Sequence, residues 1–169
     1  MNDHAIIRFE ALVVQLVGIL LGISLIAMVV VNVVNAVGRY SGWYSFVGAD
    51  ELLVYGMIWI VMLGSILAAR NRDHLSVNLL PTVVKGRLAA ALQVVIDVVT
   101  VAVAAFIAWH SLSFIERIAM LNQKSMGLGV PMVIPHSAIF VGFAGIAAVT
   151  AFLTVVDIIR LTQSERGRT

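Results

Sequence analysis

Four long apolar segments, separated by short polar connections, dominate the pattern of this chain. They cover about residues 12–37, 49–69, 88–115 and 135–161, and each reaches the roughly 20 residues that a helix needs to cross a bilayer. The apolar runs are continuous, which favours helices, because the strands of a membrane barrel alternate apolar and polar residues. A helix also satisfies its own backbone hydrogen bonds, as a segment surrounded by lipid must. The pattern predicts an all-α membrane protein in which residues 1–169 form one domain of four transmembrane helices. Short connections predict that consecutive helices are antiparallel neighbours.

Composition supports lipid as the solvent. Hydrophobic residues make up 61% of the 169 residues and charged residues 12%, whereas about a quarter of the residues in soluble domains are charged. The mean hydropathy is +1.03. The chain has no cysteine, which excludes a disulfide framework and Cys-ligated metals or clusters. No basic run with interleaved aromatic residues is present, so nucleic acid is not an expected partner.

Two segments need separate interpretation. The first apolar segment is longer than the roughly 7–15 apolar residues of a secretory signal, and no clean cleavage site follows it, so we expect a retained span. Residues 75–87 between the second and third spans are half apolar and contain Pro81. This mixture predicts a short interfacial segment that lies in the headgroup plane.

The distribution of lysine and arginine predicts the orientation. With four spans, both termini share one side with the central connection. That side carries eight basic residues: Arg8, Arg70, Arg72, Lys85, Arg87, Arg160, Arg166 and Arg168. The other side carries three: Arg39, Arg117 and Lys124. The positive-inside rule therefore predicts that both termini are cytoplasmic.

Charges of opposite sign mark the two ends of the second span. Asp50 and Glu51 open it on the outer side, and Arg70 closes it on the inner side, shortly before His74. This arrangement matches the helix dipole, which favours anions at the N-terminus and cations at the C-terminus. Contact with a partner protein is the alternative reading of the same residues.

Asp97 is the one acid placed well inside a span. An aspartate at the bilayer centre costs about 2.5–3.5 kcal/mol on insertion scales, so it should face protein. A proton or cation relay is one interpretation. We favour packing beside Gln93, because a relay needs several such groups across the bilayer and no second buried acid is evident.

Other polar, aromatic and small residues allow further hypotheses. His110 and His136 both lie towards the outer side, which leaves open a haem or quinone anchor. Trp59 lies halfway along the second span, where a protein contact suits its indole N–H better than lipid. Gly64 and Ala68 form a small-residue pair that permits close helix approach, within this chain or with another.

Motifs for catalysis are missing. The chain contains no HExxH, GxSxG, Walker or GxGxxG pattern, so we expect neither an enzyme nor a bound cofactor or metal. Gly127, Gly129 and Pro131 fit a turn in an outer connection.

Two stretches carry a family resemblance. The second span, "DELLVYGMIWIVMLGSILAARNRDHLSVNLLP", and the entry to the fourth, "GVPMVIPHSAIFVGF", resemble the small membrane subunit of tripartite ATP-independent periplasmic (TRAP) transporters, the DctQ family. The matching positions include Glu51, Trp59, Gly64, Arg70, His74, Pro131 and Pro135. One departure is His136, because an aromatic residue is more usual after the proline.

The resemblance implies a bacterial inner-membrane protein that acts as a scaffold. Its implied partners are a large DctM-type permease subunit, which holds the substrate and ion sites, and a periplasmic substrate-binding protein. Uptake of an organic acid would be driven by an ion gradient, usually sodium, without ATP. The substrate itself is set by the other subunits.

The resemblance also implies roles for single residues. Asp50 and Glu51 would pair with Arg39 or with the docked binding protein. Trp59 and Gly64 would pack in the bundle or on the large subunit, while Arg70 and His74 would contact anionic lipid or the partner. A redox-complex anchor and a free-standing small carrier are the competing classes of function.

Overall fold

The described part of the chain contains four helices that are long and apolar enough to cross a membrane. The computed structural model describes the backbone of residues 3–42, 46–71 and 87–166, and the side chains of 12–42, 46–71 and 92–159. The helices are α1 (Asp3–Ser41), α2 (Ala49–Arg70), α3 (Arg87–Met120) and α4 (Val133–Arg166). The predicted all-α membrane fold is confirmed. The expected interfacial segment at 75–87 lies outside the described residues, except for Arg87 at the start of α3.

All four helices extend beyond the apolar segments that predicted them. The extension is largest for α1, α3 and α4, which contain 39, 34 and 34 residues. At about 1.5 Å per residue, α4 is about 51 Å long, whereas the hydrocarbon core is about 30 Å thick. Hydropathy marks only the part of a helix that crosses hydrocarbon, so it underestimates helix length.

The helices pack in the order α1, α2, α4, α3. Helix α1 packs on α2, α2 packs on α4, and α4 packs on α3. The expectation of antiparallel consecutive neighbours is right for α1–α2 and for α3–α4. It is wrong for α2 and α3, because α4 lies between them in the described part of the chain. The number of residues between Arg70 and Arg87 is large enough for α3 to start on the far side of α4 from α2.

A parallel seam joins α2 to α4. Residue numbers increase together along both helices, as in the contacts of Tyr55 with Met132 and the approach of Met62 to Gly142. A Cβ atom at Gly142 would lie 2.6 Å from the sulfur and 2.8 Å from the Cβ of Met62. At Gly145 it would lie 2.5 Å from Cδ1 of Ile66. These glycines therefore allow the two backbones to approach closely.

The buried core lies where three helices meet. Ala69 of α2, Ala104 of α3 and Ile146 of α4 are buried together, with Ile66 and Phe143 packed against them. Small residues at these positions suit a membrane protein, in which close packing rather than water exclusion holds helices together.

Helix α1 contacts α2 through one narrow stripe. Its less exposed positions include Val14, Leu21, Met28 and Asn35, which recur every seven residues, as expected for one face of a helix. Most other large apolar side chains of α1 are exposed. The chain is therefore an open row of helices rather than a closed bundle, and much of its apolar surface is available to lipid or to a partner.

The substitution Gly142→Ala tests the close packing between α2 and α4. We expect this change to destabilise the protein by about 1–3 kcal/mol, because the new methyl group has no space beside Met62. The thermal unfolding midpoint of the full chain in detergent measures the effect.

Gly22→Ala is the matched control, because a Cβ atom there would meet nothing within 4 Å. Both changes add the same methyl group to a transmembrane helix. Equal midpoints for the two variants would contradict the close seam.

Candidate functional site

The N-terminal end of α2, on the side that the lysine and arginine distribution predicts to be the outer one, begins at a glycine in a left-handed conformation. Gly48 has φ +103° and no side chain to cap the helix. The backbone N–H of Ala49 donates to the carbonyl of Phe46 at 3.2 Å. The N–H of Phe46 in turn donates to Oδ1 of Asn35, a buried residue of α1, at 3.2 Å. Asn35 thus fixes the turn from which α2 starts.

The connection between α3 and α4 is a tight hairpin-like loop. The N–H of Ser125 donates to the carbonyl of Val130 at 2.9 Å, and the N–H of Met132 donates to the carbonyl of Gln123 at 3.0 Å. The N–H of Val130 also donates to the hydroxyl oxygen of Ser125 at 3.1 Å. Gly129, with φ +66°, completes the turn. The predicted turn therefore has a defined and internally bonded shape.

Glu51 binds this loop through backbone amides. The N–H of Gly127 donates to Oε1 of Glu51 at 2.9 Å, and the N–H of Leu128 donates to Oε2 at 3.0 Å. Each carboxylate oxygen thus receives one charge-assisted hydrogen bond, the stronger class in proteins. We call Glu51, Gly127 and Leu128 the outer clamp. The clamp ties the start of α2 to the entry of α4 across more than 70 residues of sequence.

Two glycines allow the clamp to close. A Cβ atom at Gly127 would lie 2.9 Å from the Cα atom of Gly48. A Cβ atom at Gly48 would lie 2.9 Å from Cδ2 of Leu128, at a φ that side chains rarely adopt. The backbones of the two segments are therefore in direct contact, which a larger residue at either position would prevent.

Contacts below the clamp continue onto α4. The hydroxyl of Tyr55 donates to the sulfur of Met132 at 3.3 Å. Pro135 is fully buried in the first turn of α4, where a missing N–H costs no helical bond. Pro131 pairs with Lys124 as an isolated bridge at the base of the loop. Both predicted prolines thus lie in the structure that positions the clamp.

The two acids at the start of α2 have different partners. Asp50 accepts a hydrogen bond from Arg39 at 3.0 Å, which matches one of the pairings considered from the sequence. The two side chains are 57% and 72% exposed, so the pair contributes little to stability. Glu51, by contrast, points to the loop. The neighbouring acids therefore differ in role: one lies at the surface, and the other holds two helical hairpins together.

The remaining predicted residues lie deeper in the chain or at its inner end. Asp97 is only 5% exposed, and its Oδ1 accepts a hydrogen bond from Nε2 of Gln93 at 2.8 Å. Trp59 is partly buried in the middle of α2. A Cβ atom at Gly64 would meet no described atom within 4 Å, so this glycine is not required for close packing among the described residues. Arg70 ends α2, and His74 lies outside the described residues.

The two outer histidines have separate surroundings. His110 is exposed and contacts the ring of Phe106 on its own helix, with centroids 4.3 Å apart. His136 contacts Phe114, and its Nδ1 lies 2.6 Å from the carbonyl oxygen of Met132. Among the described side chains, no three His, Asp or Glu residues form a group that could hold a metal ion.

Comparison with known proteins identifies the family. The family described as "Tripartite ATP-independent periplasmic transporters, DctQ component" matches residues 28–163, from the middle of α1 to the last turns of α4. The chain belongs to the DctQ family. This membership makes the chain a TRAP transporter component, points away from an enzyme and does not favour a redox anchor. Together with the four apolar helices, it indicates a multi-pass protein of the bacterial inner membrane.

One curated relative of this DctQ chain is a longer protein. It is the "Isethionate TRAP transporter permease protein DctMQ" of Oleidesulfovibrio alaskensis, which is 26% identical over 144 residues. The match covers 82% of this chain and 22% of the relative. The DctQ chain thus spans about a fifth of the length of that relative.

Sequence reasoning identified Glu51 but missed its partners. Gly48, Ser125 and Leu128 carried no motif, and Gly127 was interpreted only as part of a turn. The available signal was the pair of glycines, Gly48 and Gly127, each beside a segment that starts a helix. The sequence does not indicate that the two segments are in contact. Their contact arises because α4, and not the consecutive helix α3, packs next to α2.

The clamp predicts that Glu51→Gln loosens the outer loop of this DctQ chain. A glutamine keeps one acceptor oxygen but turns the other position into an NH₂ donor, which cannot accept from the second amide. We expect hydrogen exchange at the amides of Gly127 and Leu128 to become about tenfold faster or more. Exchange measured by mass spectrometry on the membrane-reconstituted chain reports this directly.

Asp50→Asn is the control, since it removes the adjacent acid, whose ion pair is exposed. Gly127→Ala is an independent way to open the clamp and should produce the same local increase. Unchanged exchange in both Glu51→Gln and Gly127→Ala would show that the clamp does not hold the loop.

Proposed function

We propose that this chain is the scaffold subunit of a TRAP transporter that imports an organic acid. In this role it associates with a large DctM-type permease subunit and supports docking of a periplasmic substrate-binding protein. The observation that carries the proposal is the DctQ family match over residues 28–163, which includes all of α2 and α3, most of α4 and the last part of α1. The large subunit holds the substrate and ion sites, and a gradient of ions such as sodium drives uptake.

The open row of helices supports association with a large membrane partner. Helix α2 exposes Val54, Met57 and Val61 between its contacts with α1 and α4. These positions and Gly64 are spaced three or four residues apart, so they form one helix face. The relative named as a permease is much longer than this chain, which supports a partner of permease size.

The outer clamp supports a role at the surface that receives the binding protein. It holds the α3–α4 loop against α2, and the loop presents Lys124 and the fully exposed Met126 outward. A rigid loop loses little conformational entropy when it binds. With both termini in the cytoplasm, as the lysine and arginine distribution predicts, this loop faces the periplasm.

The described polar groups suit a scaffold better than a transport path. Buried polar side chains such as Asn35, Asp97 and Ser125 all take part in local hydrogen bonds that stabilise turns or helix faces. A carrier needs a binding site between elements that can move against each other. We therefore assign movement and substrate selection to the large subunit.

The proposal predicts that transport requires all three components. Liposomes containing this chain with its large subunit should accumulate an organic acid only when the binding protein and an inward ion gradient are present. Radiolabelled uptake measures this. Accumulation by liposomes that contain this chain alone would contradict the scaffold role and favour a free-standing carrier.

Gly64→Leu tests where the large subunit binds. The first added carbon has space among the described residues, because a Cβ atom at Gly64 would meet nothing within 4 Å. If the exposed face of α2 packs on the partner, a leucine there should separate the two helices and reduce co-purification of the large subunit several-fold.

Gly22→Leu is the matched control, because a Cβ atom there is also unobstructed and lies on α1. The thermal midpoints of the isolated variants should equal that of the unmodified chain. Full co-purification of Gly64→Leu would place the interface on another face.

A further inference from the structure

Helix α3 carries an exposed stripe of residues spaced alternately four and three positions apart. This spacing is the a/d repeat by which one helix packs along another. We call the following residues the α3 stripe: Val99, Val103, Phe106, His110, Ser113 and Arg117. Its apolar members are all more than half exposed, whereas Ala104, Ala108 and Ile118 on another side of the helix are buried. The described part of the chain therefore leaves a helix-packing face of α3 uncovered.

The register of α3 against α4 gives the depth of His110. The two helices are antiparallel, and Phe114 of α3 contacts His136 of α4 with ring centroids 5.2 Å apart. Nearer the inner end, Ala104 and Ile146 are buried together in the same register. His110 lies about one turn from Phe114, so it is level with about residue 140 of α4.

The seam relates this depth to α2. Gly142 of α4 lies beside Met62 of α2, so His110 is level with about residue 60 of α2. Helix α2 spans the membrane from Ala49 to Arg70, which places residue 60 at its middle, about 15 Å from each end. His110 therefore lies near the middle of the membrane, deeper than the sequence indicated.

An imidazole at this depth needs a hydrogen-bond partner. The neutral ring has one donor and one acceptor nitrogen, and ionisable side chains inside a membrane almost always face protein or a water-filled cavity. His110 is exposed, and within the described part of the chain its ring contacts Phe106 of the same helix and makes no hydrogen bond. Lipid tails offer neither donors nor acceptors. We therefore expect another polypeptide to supply the partner of His110.

We propose that a transmembrane helix of the large permease subunit packs along the α3 stripe and forms a hydrogen bond with His110. The inference rests on the proposed function, which supplies the partner. The a/d spacing fits a helix, and Val99, Val103 and Phe106 provide its apolar contacts. The matching helix carries a polar side chain with an acceptor oxygen opposite His110, since such side chains form hydrogen bonds across helices in membranes.

Charge on the α3 stripe favours a different chain over a second copy of this one. Two copies inserted in the same orientation would pair the stripe with itself about a two-fold axis, and such an interface places equal residues opposite each other. Arg117 would then face the same arginine of the second copy, and like charges across an interface are unfavourable. A chain of different sequence can offer an acid opposite Arg117. The exposed face of α2 remains available to other helices of the same large subunit.

Co-purification of the full chain with its co-expressed large subunit tests the role of His110. His110→Leu removes both ring nitrogens and should lower the amount of recovered large subunit about fivefold, as expected for the loss of one interhelical hydrogen bond. His110→Gln keeps a donor and an acceptor and should retain most of the large subunit. Leu112→Ala is the control at the same depth, because Leu112 lies about 200° around the helix from His110. The thermal midpoints of the isolated His110 variants should be no lower than that of the unmodified chain.

Photocrosslinking locates the partner helix directly. p-Benzoylphenylalanine in place of Phe106 keeps an aromatic side chain in the α3 stripe and should join this chain to the large subunit on illumination. The same amino acid in place of Leu112, on the other side of α3, should give little or no such product. Mass spectrometry of the crosslinked peptide identifies the helix of the large subunit that lies on the stripe.

The outcomes separate this inference from the proposed function. Failure of the unmodified chain to bind the large subunit at all would overturn both. A complex that forms equally well with His110→Leu, or a crosslinker at Phe106 that does not reach the large subunit in an intact complex, would overturn the inference alone. Crosslinks at Phe106 between two copies of this chain would also overturn it and assign the α3 stripe to a homodimer.

Discussion

The parallel seam between α2 and α4 is the interaction on which the tertiary structure depends. Each antiparallel hairpin, α1–α2 and α3–α4, forms from neighbouring segments of sequence. The seam joins them, through Gly142 and Gly145 within the membrane and through the outer clamp at its end. Van der Waals packing needs close backbones when lipid is the solvent, whereas the carboxylate of Glu51 gives direction and register. The glycine packing and the outer clamp differ in chemistry, but both hold α2 against α4.

The seam also explains why two adjacent acids have unequal importance. Asp50 and Glu51 lie in the same turn of α2 and face different directions. Asp50 reaches Arg39 at the exposed surface, and Glu51 reaches amide groups supplied by the far hairpin. A helix N-terminus attracts acids in general, but only the acid that faces the α3–α4 loop can hold the two hairpins together.

Hydropathy was sufficient to predict the helices of this chain, whereas charge marked Asp50 and Glu51 together without distinguishing their roles. The order of packing was beyond sequence reasoning, because neighbouring spans were assumed to be neighbours in space. Gly127 and Leu128 bind Glu51 through backbone N–H groups, which every residue except proline possesses and which no motif can reveal. The sequence marks Gly64 as a small residue, but it could not show that a Cβ atom there would meet no described atom within 4 Å.

The unequal lengths of the two seam helices have a consequence for the surrounding bilayer. Helix α2, with 22 residues, is about 33 Å long and matches the hydrocarbon thickness almost upright. The described apolar part of α4, from Val133 to Ile159, has 27 residues and is about 40 Å long, and it cannot tilt independently of the helix packed along it. Its surplus must therefore extend beyond the hydrocarbon or thicken the lipid around it. We therefore expect local membrane thickness to affect how this pair of helices is accommodated in the bilayer.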